Sequence, residues 1–391
     1  MNQHYRRRAD VITTGQKSFV PAVMKEEKKL KGDRYLPMRD VDVAHVDTFL
    51  GDGKENCSVE ESYYANSVSR VLGLSSAAQR PPFRPPRQLP TQAERMLDIP
   101  GMTDNYYANV LDWGTKFLAI ALQDSLYLYD WQRMADKRYL QLPAISFTAV
   151  KWARDGSRIA LGTDQGDVGV YDVETRKRLL AWRAAYAGRI GCLAWNAHTF
   201  AAGSQSGCID VHDMRCRAPV YRLTRRWQEV CGLAWNADQR RLAAGYNDNL
   251  AVAWEPQADT TKPRLLLQGH LGAVKALAWR GDILATGGGT ADKTIKFWND
   301  RGECTKSVET DSQVTGLIWS PDAYSEIVSA HGFSTLTADS FPVCMWNYPS
   351  MEKTFELRGH TERILTVAKD PENGVIATAS CDETLRFWRM W

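Results

Sequence analysis

The sequence predicts an all-β fold, a seven-bladed propeller of four-stranded sheets preceded by a largely disordered N-terminal tail. Three observations predict it. Short strands that end in an aromatic ring or an imidazole recur along most of the 391 residues. A ladder of tryptophans, offset from those strands, keeps the same period. All fourteen tryptophans lie at or after Trp113, whereas half of the sixteen prolines fall in the first hundred residues.

The tail, residues 1–92, comes first. Its first forty residues carry ten Lys/Arg against five Asp/Glu, and "PPFRPPRQLP" (81–90) holds five prolines. A basic, tryptophan-free, proline-punctuated segment buries too little apolar surface to offset its chain entropy. The core therefore belongs to residues 93–391.

There the strands "LYLYD" (126–130), "VGVYD" (168–172), "IDVHD" (209–213), "LAVAWE" (250–255), "IKFWN" (295–299), "VCMWN" (343–347) and "LRFWR" (385–389) follow one another. Their anchors, Tyr129, Tyr171, His212, Trp254, Trp298, Trp346 and Trp388, are 42, 41, 42, 44, 48 and 42 residues apart. Trp113, Trp152, Trp195, Trp235, Trp279, Trp319 and Lys369 form the second ladder, at intervals of 39, 43, 40, 44, 40 and 50. A period near 42 is that of WD-repeat blades, and seven anchors mean seven blades. Gly269-His270 and Gly359-His360 add the Gly-His dipeptides of that class, so both histidines read as structural. The interval of 48 reflects extra residues in "STLTADSFPV" (334–343), expected to form a protruding hairpin.

Ring closure is the remaining element. A fourth strand follows the anchor in blades two to six, as "KRLLAW" (177–182) does, but only three residues follow Trp388. An open ring would leave an unpaired sheet edge. The missing strand is expected over 94–100, where Leu97 stands 16 residues before Trp113, much as Leu180 stands 15 before Trp195.

Composition excludes several functions. Net charge is only +3, too little for a nucleic-acid or membrane surface, and no apolar run is long enough to span a bilayer. The eight scattered cysteines and seven histidines show no zinc spacing, so neither metal nor cofactor is expected. Cysteine usage and the lack of an apolar leader point to a reducing compartment, nucleus and cytoplasm. "GSQSG" (203–207) has Gln205 where a nucleophile elbow needs serine, and "GGGT" (287–290) lacks the lysine of a phosphate loop. A binding module is expected, not an enzyme.

Short motifs sharpen this. "DRYLPMR" (Asp33, Arg34, Tyr35, Leu36, Pro37 and Arg39 at its fixed positions) resembles the C-box of the Fizzy family, the mitotic (Cdc20-like) WD-repeat activators of the anaphase-promoting complex. Pro37 stiffens it, Tyr35 and Leu36 offer apolar anchors, and the two arginines suit carboxylates. "RMLDIPGMTDNYYANVLDWG" (95–114), "GYNDNLAVAW" (245–254), "GAVKALAWRGDILATGGGTADKTIKFWN" (272–299) and "SAHGF" (329–333) are similar to blades of the same family. The resemblance implies a co-activator that carries degron-bearing substrates, cyclins and securin-like proteins among them, to the ligase. "KEN" (Lys54, Glu55, Asn56) resembles the protein's own degron in the mitotic branch. Arg70, Val71 and Leu72, with Pro81 downstream, resemble a segment bound by mitotic checkpoint proteins. The rival readings are a generic WD-repeat scaffold and a Fizzy-related paralogue.

The resemblance also implies binding sites. A receptor for Lys-Glu-Asn degrons would use Asn247, Asn249, Thr290, Gln313 and Arg363, whose amides, hydroxyl and guanidinium match a ligand's ammonium, carboxamide and carboxylate. A receptor for destruction-box degrons would lie between blades one and seven, with Glu383 facing the degron arginine. The second acidic position of the family is Gln123 here, with Asp124 beside it, so the partner of that arginine stays open. The family's carboxy-terminal Ile-Arg pair is absent at Trp391.

Overall fold

The computed structural model describes residues 89–183, 188–225, 228–321, 324–334 and 341–391. The motifs at 33–39, 54–56 and 70–81, most of the 1–92 tail, and the extra blade-six residues 335–340 lie outside them. Among the described residues there are twenty-eight strands and no α-helix. The first strand, β1 (Arg95–Asp98), stands apart from its chain neighbours. The rest fall into consecutive blades: β2–β5 (Leu111–Gln141), β6–β9 (Phe147–Arg183), β10–β13 (Ile190–Thr224), β14–β17 (Val230–Leu267), β18–β21 (Val274–Glu309), β22–β25 (Ser312–Leu357) and β26–β28 (Ile364–Arg389). Each of the first six is a complete four-stranded antiparallel sheet. The seventh takes β1 as its outer strand, in the order β1-β28-β27-β26. Arg95 lies opposite Phe387 and Leu97 opposite Leu385. The ring is a seven-bladed propeller sealed by pairing a strand from before blade one with a strand from blade seven.

Both ladders have a physical meaning. The anchors end the third strands and are all buried, with Trp254, Trp298, Trp388 and Tyr129 among the largest fully buried side chains. In blade five His270 Nδ1 meets Asp292 Oδ2 at 2.6 Å, His270 Nε2 meets Thr286 Oγ1 at 2.6 Å, and Trp298 Nε1 donates to Thr286 at 2.8 Å. Blade seven repeats this with His360, Asp382, Thr378 and Trp388. In these two blades the histidine, the threonine and the indole N–H are thereby all satisfied. Blade six reaches the same end without a Gly-His pair: His331 bridges Ser312 and Ser329, and Trp346 Nε1 donates to Ser329 at 2.8 Å.

The tryptophan ladder ties neighbouring blades. Trp195, Trp235, Trp279 and Trp319 each donate an indole N–H to a first-strand carbonyl of the preceding blade, those of Lys151, Ala194, Ala234 and Ala278. Lys369, which interrupts the ladder in the sequence, donates from Nζ to Trp319 O at 3.2 Å and does the same work.

The first strands line the central channel, and those of blades two to seven each carry a β-bulge near their start. A bulge re-aims its extra residue. In β18 that residue is Lys275, which the bulge between Val274 and Ala276 turns inward to the channel.

Candidate functional site

The upper rim is where first strands begin and second strands end. A segment without regular structure, Ile99 to Asn109, crosses it from the seam between blades seven and one to the far side. Gly101 fixes its start with φ +85, a conformation glycine adopts without strain. Gly101 N donates to Glu383 Oε1 at 3.0 Å, and Gln123 Nε2 donates to Gly101 O at 3.3 Å. Asn109 fixes its end by donating to Gly191 O and Cys231 O. Between them Lys275 Nζ donates to Ala108 O at 3.1 Å and Leu365 O at 2.7 Å. Lys275 is 4% exposed, and burial depresses its ammonium to about pKa 7.

This crossing segment floors a concavity of about 550 Å3. All five side chains expected to read a Lys-Glu-Asn degron line it: Asn247 and Asn249 from blade four, Thr290 from blade five, Gln313 from β22, and Arg363 at the mouth of blade seven. Asn249 sits at φ +66, where asparagine is favoured among non-glycine residues, so it serves the turn while its amide borders the concavity. Asn247 Oδ1 accepts from the Tyr107 hydroxyl at 2.9 Å. Thr290 is exposed. Gln313 is buried, and its Oε1 has no hydrogen-bond partner. Gly332 makes room for it, since a Cβ there would lie 2.6 Å from Oε1. An unsatisfied carbonyl at the edge of a cavity is a ready acceptor for a ligand N–H.

Residues that spacing alone did not mark complete the site. Arg363 pairs with Asp104, whose Oδ1 also accepts from the Cys381 thiol at 2.9 Å. Burial, reinforced by Asp104, raises that thiol to about pKa 12 and keeps it protonated. The Arg363 guanidinium lies 4.4 Å over the Phe333 ring. Tyr106 is buried beneath, with Lys275 Nζ 5.3 Å over its ring. Tyr107 carries Arg189 at 5.1 Å, and Arg189 is held by a bidentate pair with Glu229 at 2.7 and 2.8 Å.

At the seam between blades seven and one, Glu383 and Gln123 are exposed and meet through the Gly101 peptide. Asp124 is not brought to Glu383. Its two carboxylate oxygens accept from Ser125 Oγ at 2.8 Å and Gln141 Nε2 at 3.0 Å, within blade one, and those bonds hold its pKa below the ordinary range. The carboxylate this seam presents is that of Glu383, with one oxygen engaged by Gly101 N. Among the described residues no cluster of His, Cys, Asp or Glu could hold a metal ion.

A closed ring of seven four-stranded blades with a peptide-sized concavity over its channel defines a WD-repeat propeller. The family of the chain follows from its sequence: residues 97–388 match the model described as the CDC20/Fizzy WD40 domain, and the chain belongs to that family. One relative, "Cell division cycle 20.1, cofactor of APC complex" of Arabidopsis thaliana, is 39% identical over 96% of this chain and 90% of its own length. "Protein FIZZY-RELATED 3" of the same plant is also 39% identical, over 81% of this chain and 65% of its own length. A chain of the solved structure "Crystal Structure of Mitotic Checkpoint Complex" superposes with a TM-score of 0.73 at 38% identity, covering 80% of this chain and 97% of that one.

Proposed function

We propose that this protein is the substrate-recognition co-activator of the anaphase-promoting complex ubiquitin ligase. It captures Lys-Glu-Asn degrons in the upper concavity and destruction-box degrons at the seam of blades one and seven, and it docks on the ligase through the C-box at 33–39. The observation that carries the reading is the convergence of Asn247, Asn249, Thr290, Gln313 and Arg363 on one concavity, from four different blades. Their chemistry complements an ammonium, a carboxylate and a carboxamide on one short peptide. Relatives named as cofactors of that complex support it.

The protein performs no bond chemistry of its own. Some fifty residues separate Arg39 from the first described strand, a reach of about 40 Å for a flexible chain. With both ends engaged, a captured substrate is held near the ligase at high effective concentration. Its substrates are degron-bearing cell-cycle regulators such as cyclins and securin-like proteins. Mitotic checkpoint proteins are further partners, through the segment around Arg70, Val71 and Leu72. We adopt the mitotic branch on the placement of Lys54–Asn56 after the C-box. Residence in nucleus and cytoplasm accords with the seven unpaired cysteines among the described residues. The test is affinity capture from cell extract with the full chain and its Arg39→Ala form. Ligase subunits should disappear together from the variant, and their retention would overturn the docking role.

A further inference from the structure

Among the described residues six large apolar side chains are markedly exposed: Met134, Leu179, Val220, Leu266, Leu271 and Phe333. Four are scattered, one to a blade, three of them on outermost strands, and single exposed apolar residues of that kind are ordinary. Leu271, 70% exposed, and Phe333, 42% exposed, are different, because both line the upper concavity.

Neither is exposed through slackness. Leu271 N is held by Asp292 Oδ1 at 3.0 Å, and the other oxygen of Asp292 holds His270. The next residue, Gly272, lies so close to Gly289 that a Cβ would come within 3.2 Å of its backbone. Leu271 is thus presented by a cross-braced turn. Phe333 is fixed by the Arg363 guanidinium over its ring face. Thr290 and Gln313 border the same concavity.

Apolar groups rimmed by polar ones mark interaction surfaces. Covering Phe333 would also exclude water from the adjoining Arg363, and a carboxylate–guanidinium contact gains strength as the local dielectric falls. We infer that the ligand of this site is an amphipathic peptide, in which the ammonium, carboxylate and carboxamide are flanked by aliphatic or aromatic side chains that rest on Leu271 and Phe333. The inference builds on the degron-binding reading and adds a selectivity that the polar residues alone do not supply.

The experiment compares two peptides by fluorescence anisotropy with the full chain. Both contain Lys-Glu-Asn; one has leucine at the two positions on either side, the other serine. An aliphatic side chain half covered on binding is worth about tenfold in affinity, so with one resting on Leu271 and one on Phe333 the leucine peptide should bind about a hundredfold tighter. Leu271→Ser and Phe333→Ser should each shrink that ratio, Phe333→Leu should preserve it, and Met134→Ser, far from the concavity, should leave it unchanged. Leu271 is exposed enough that its replacement spares the core, so it decides alone should the Phe333→Ser chain fail to fold. A ratio near one in the wild type, or a ratio that survives Leu271→Ser, overturns the inference while leaving the polar site standing. Binding of both peptides that is indifferent to Arg363→Ala overturns the underlying reading, and the inference with it.

Discussion

Arg389, on the last strand of the ring, donates from Nε and Nη2 to both carboxylate oxygens of Glu94, at 3.1 and 2.9 Å, across 295 residues of sequence. The pair marks the place where the propeller closes. Half-exposed ion pairs of this kind contribute little by themselves. The seam is held instead by backbone pairing of β1 with β28 and by Leu97, which is 1% exposed beside Leu385.

Leu97→Ala should therefore destabilise the protein by about 2–5 kcal/mol, whereas Arg389→Ala should cost less than about 1 kcal/mol. Chemical denaturation of the two variants checks the order. Deleting residues 94–100 should leave an open blade edge and an aggregating or oligomeric product, visible in sedimentation. A deletion product that stayed monomeric and unfolded cooperatively would refute strand closure.

The blade-to-blade indole bonds predict a second series. Trp279→Phe keeps the ring but leaves Ala234 O without its donor, at a cost of roughly 1–3 kcal/mol. Lys369→Met should act alike, because it strips Trp319 O of its donor.

Lys275 predicts an unusual alkaline behaviour. Its folded pKa, about 7, lies below the ordinary 10.5, so the unfolded chain binds more protons between those values. Stability from this group must then rise with pH, from about 7 up to about 10.5, by at most about 1.4 kcal/mol per pH unit. Lys275→Met should abolish that slope. It should also loosen the crossing segment by freeing Ala108 O, and so weaken peptide binding.

Acid should act through buried imidazoles. Burial lowers His212 and His331 from 6.5 to about 4, so protons bind the unfolded chain first. Stability should fall as pH drops from about 6.5 to about 4. Asp292 and Asp382, held low in the folded state by their histidine bonds, extend the loss below the ordinary aspartate value of 3.8. Thermal unfolding at pH 7, 5 and 4 measures it, and His331→Gln should flatten the first part of the curve.

The two proposed binding sites should separate by mutation. Glu383→Lys reverses the exposed carboxylate that meets Gly101 at the blade one–seven seam and should weaken destruction-box peptides at least tenfold, with Lys-Glu-Asn peptides unaffected. Equal loss of both would indicate unfolding instead.

The ring was legible in the sequence because every blade must bury one large third-strand ring, and that need repeats along the chain. Lys369 takes the seventh place of the second ladder by spacing, but why a lysine can stand there shows only across a blade interface, where its Nζ replaces an indole N–H. His331 carried no Gly-His signature, because it reaches its two serines from within a strand. The five residues that line the upper concavity were named by resemblance, not by spacing. The crossing segment was opaque for a stronger reason. Asp104 meets Arg363 at a separation of 259 residues and Tyr107 meets Asn247 at 140, and contacts made once across a ring leave no period behind.

The most direct measurement is a double-mutant cycle on the full chain, pairing Arg363→Ala with a Glu→Gln change in a Lys-Glu-Asn peptide, read by titration calorimetry. A charge-assisted pair in the concavity predicts that each change alone costs at least tenfold in affinity and that the two together cost scarcely more. Costs that simply multiply would mean that Arg363 does not meet the ligand carboxylate, and would contradict the assignment of the upper face as the degron receptor.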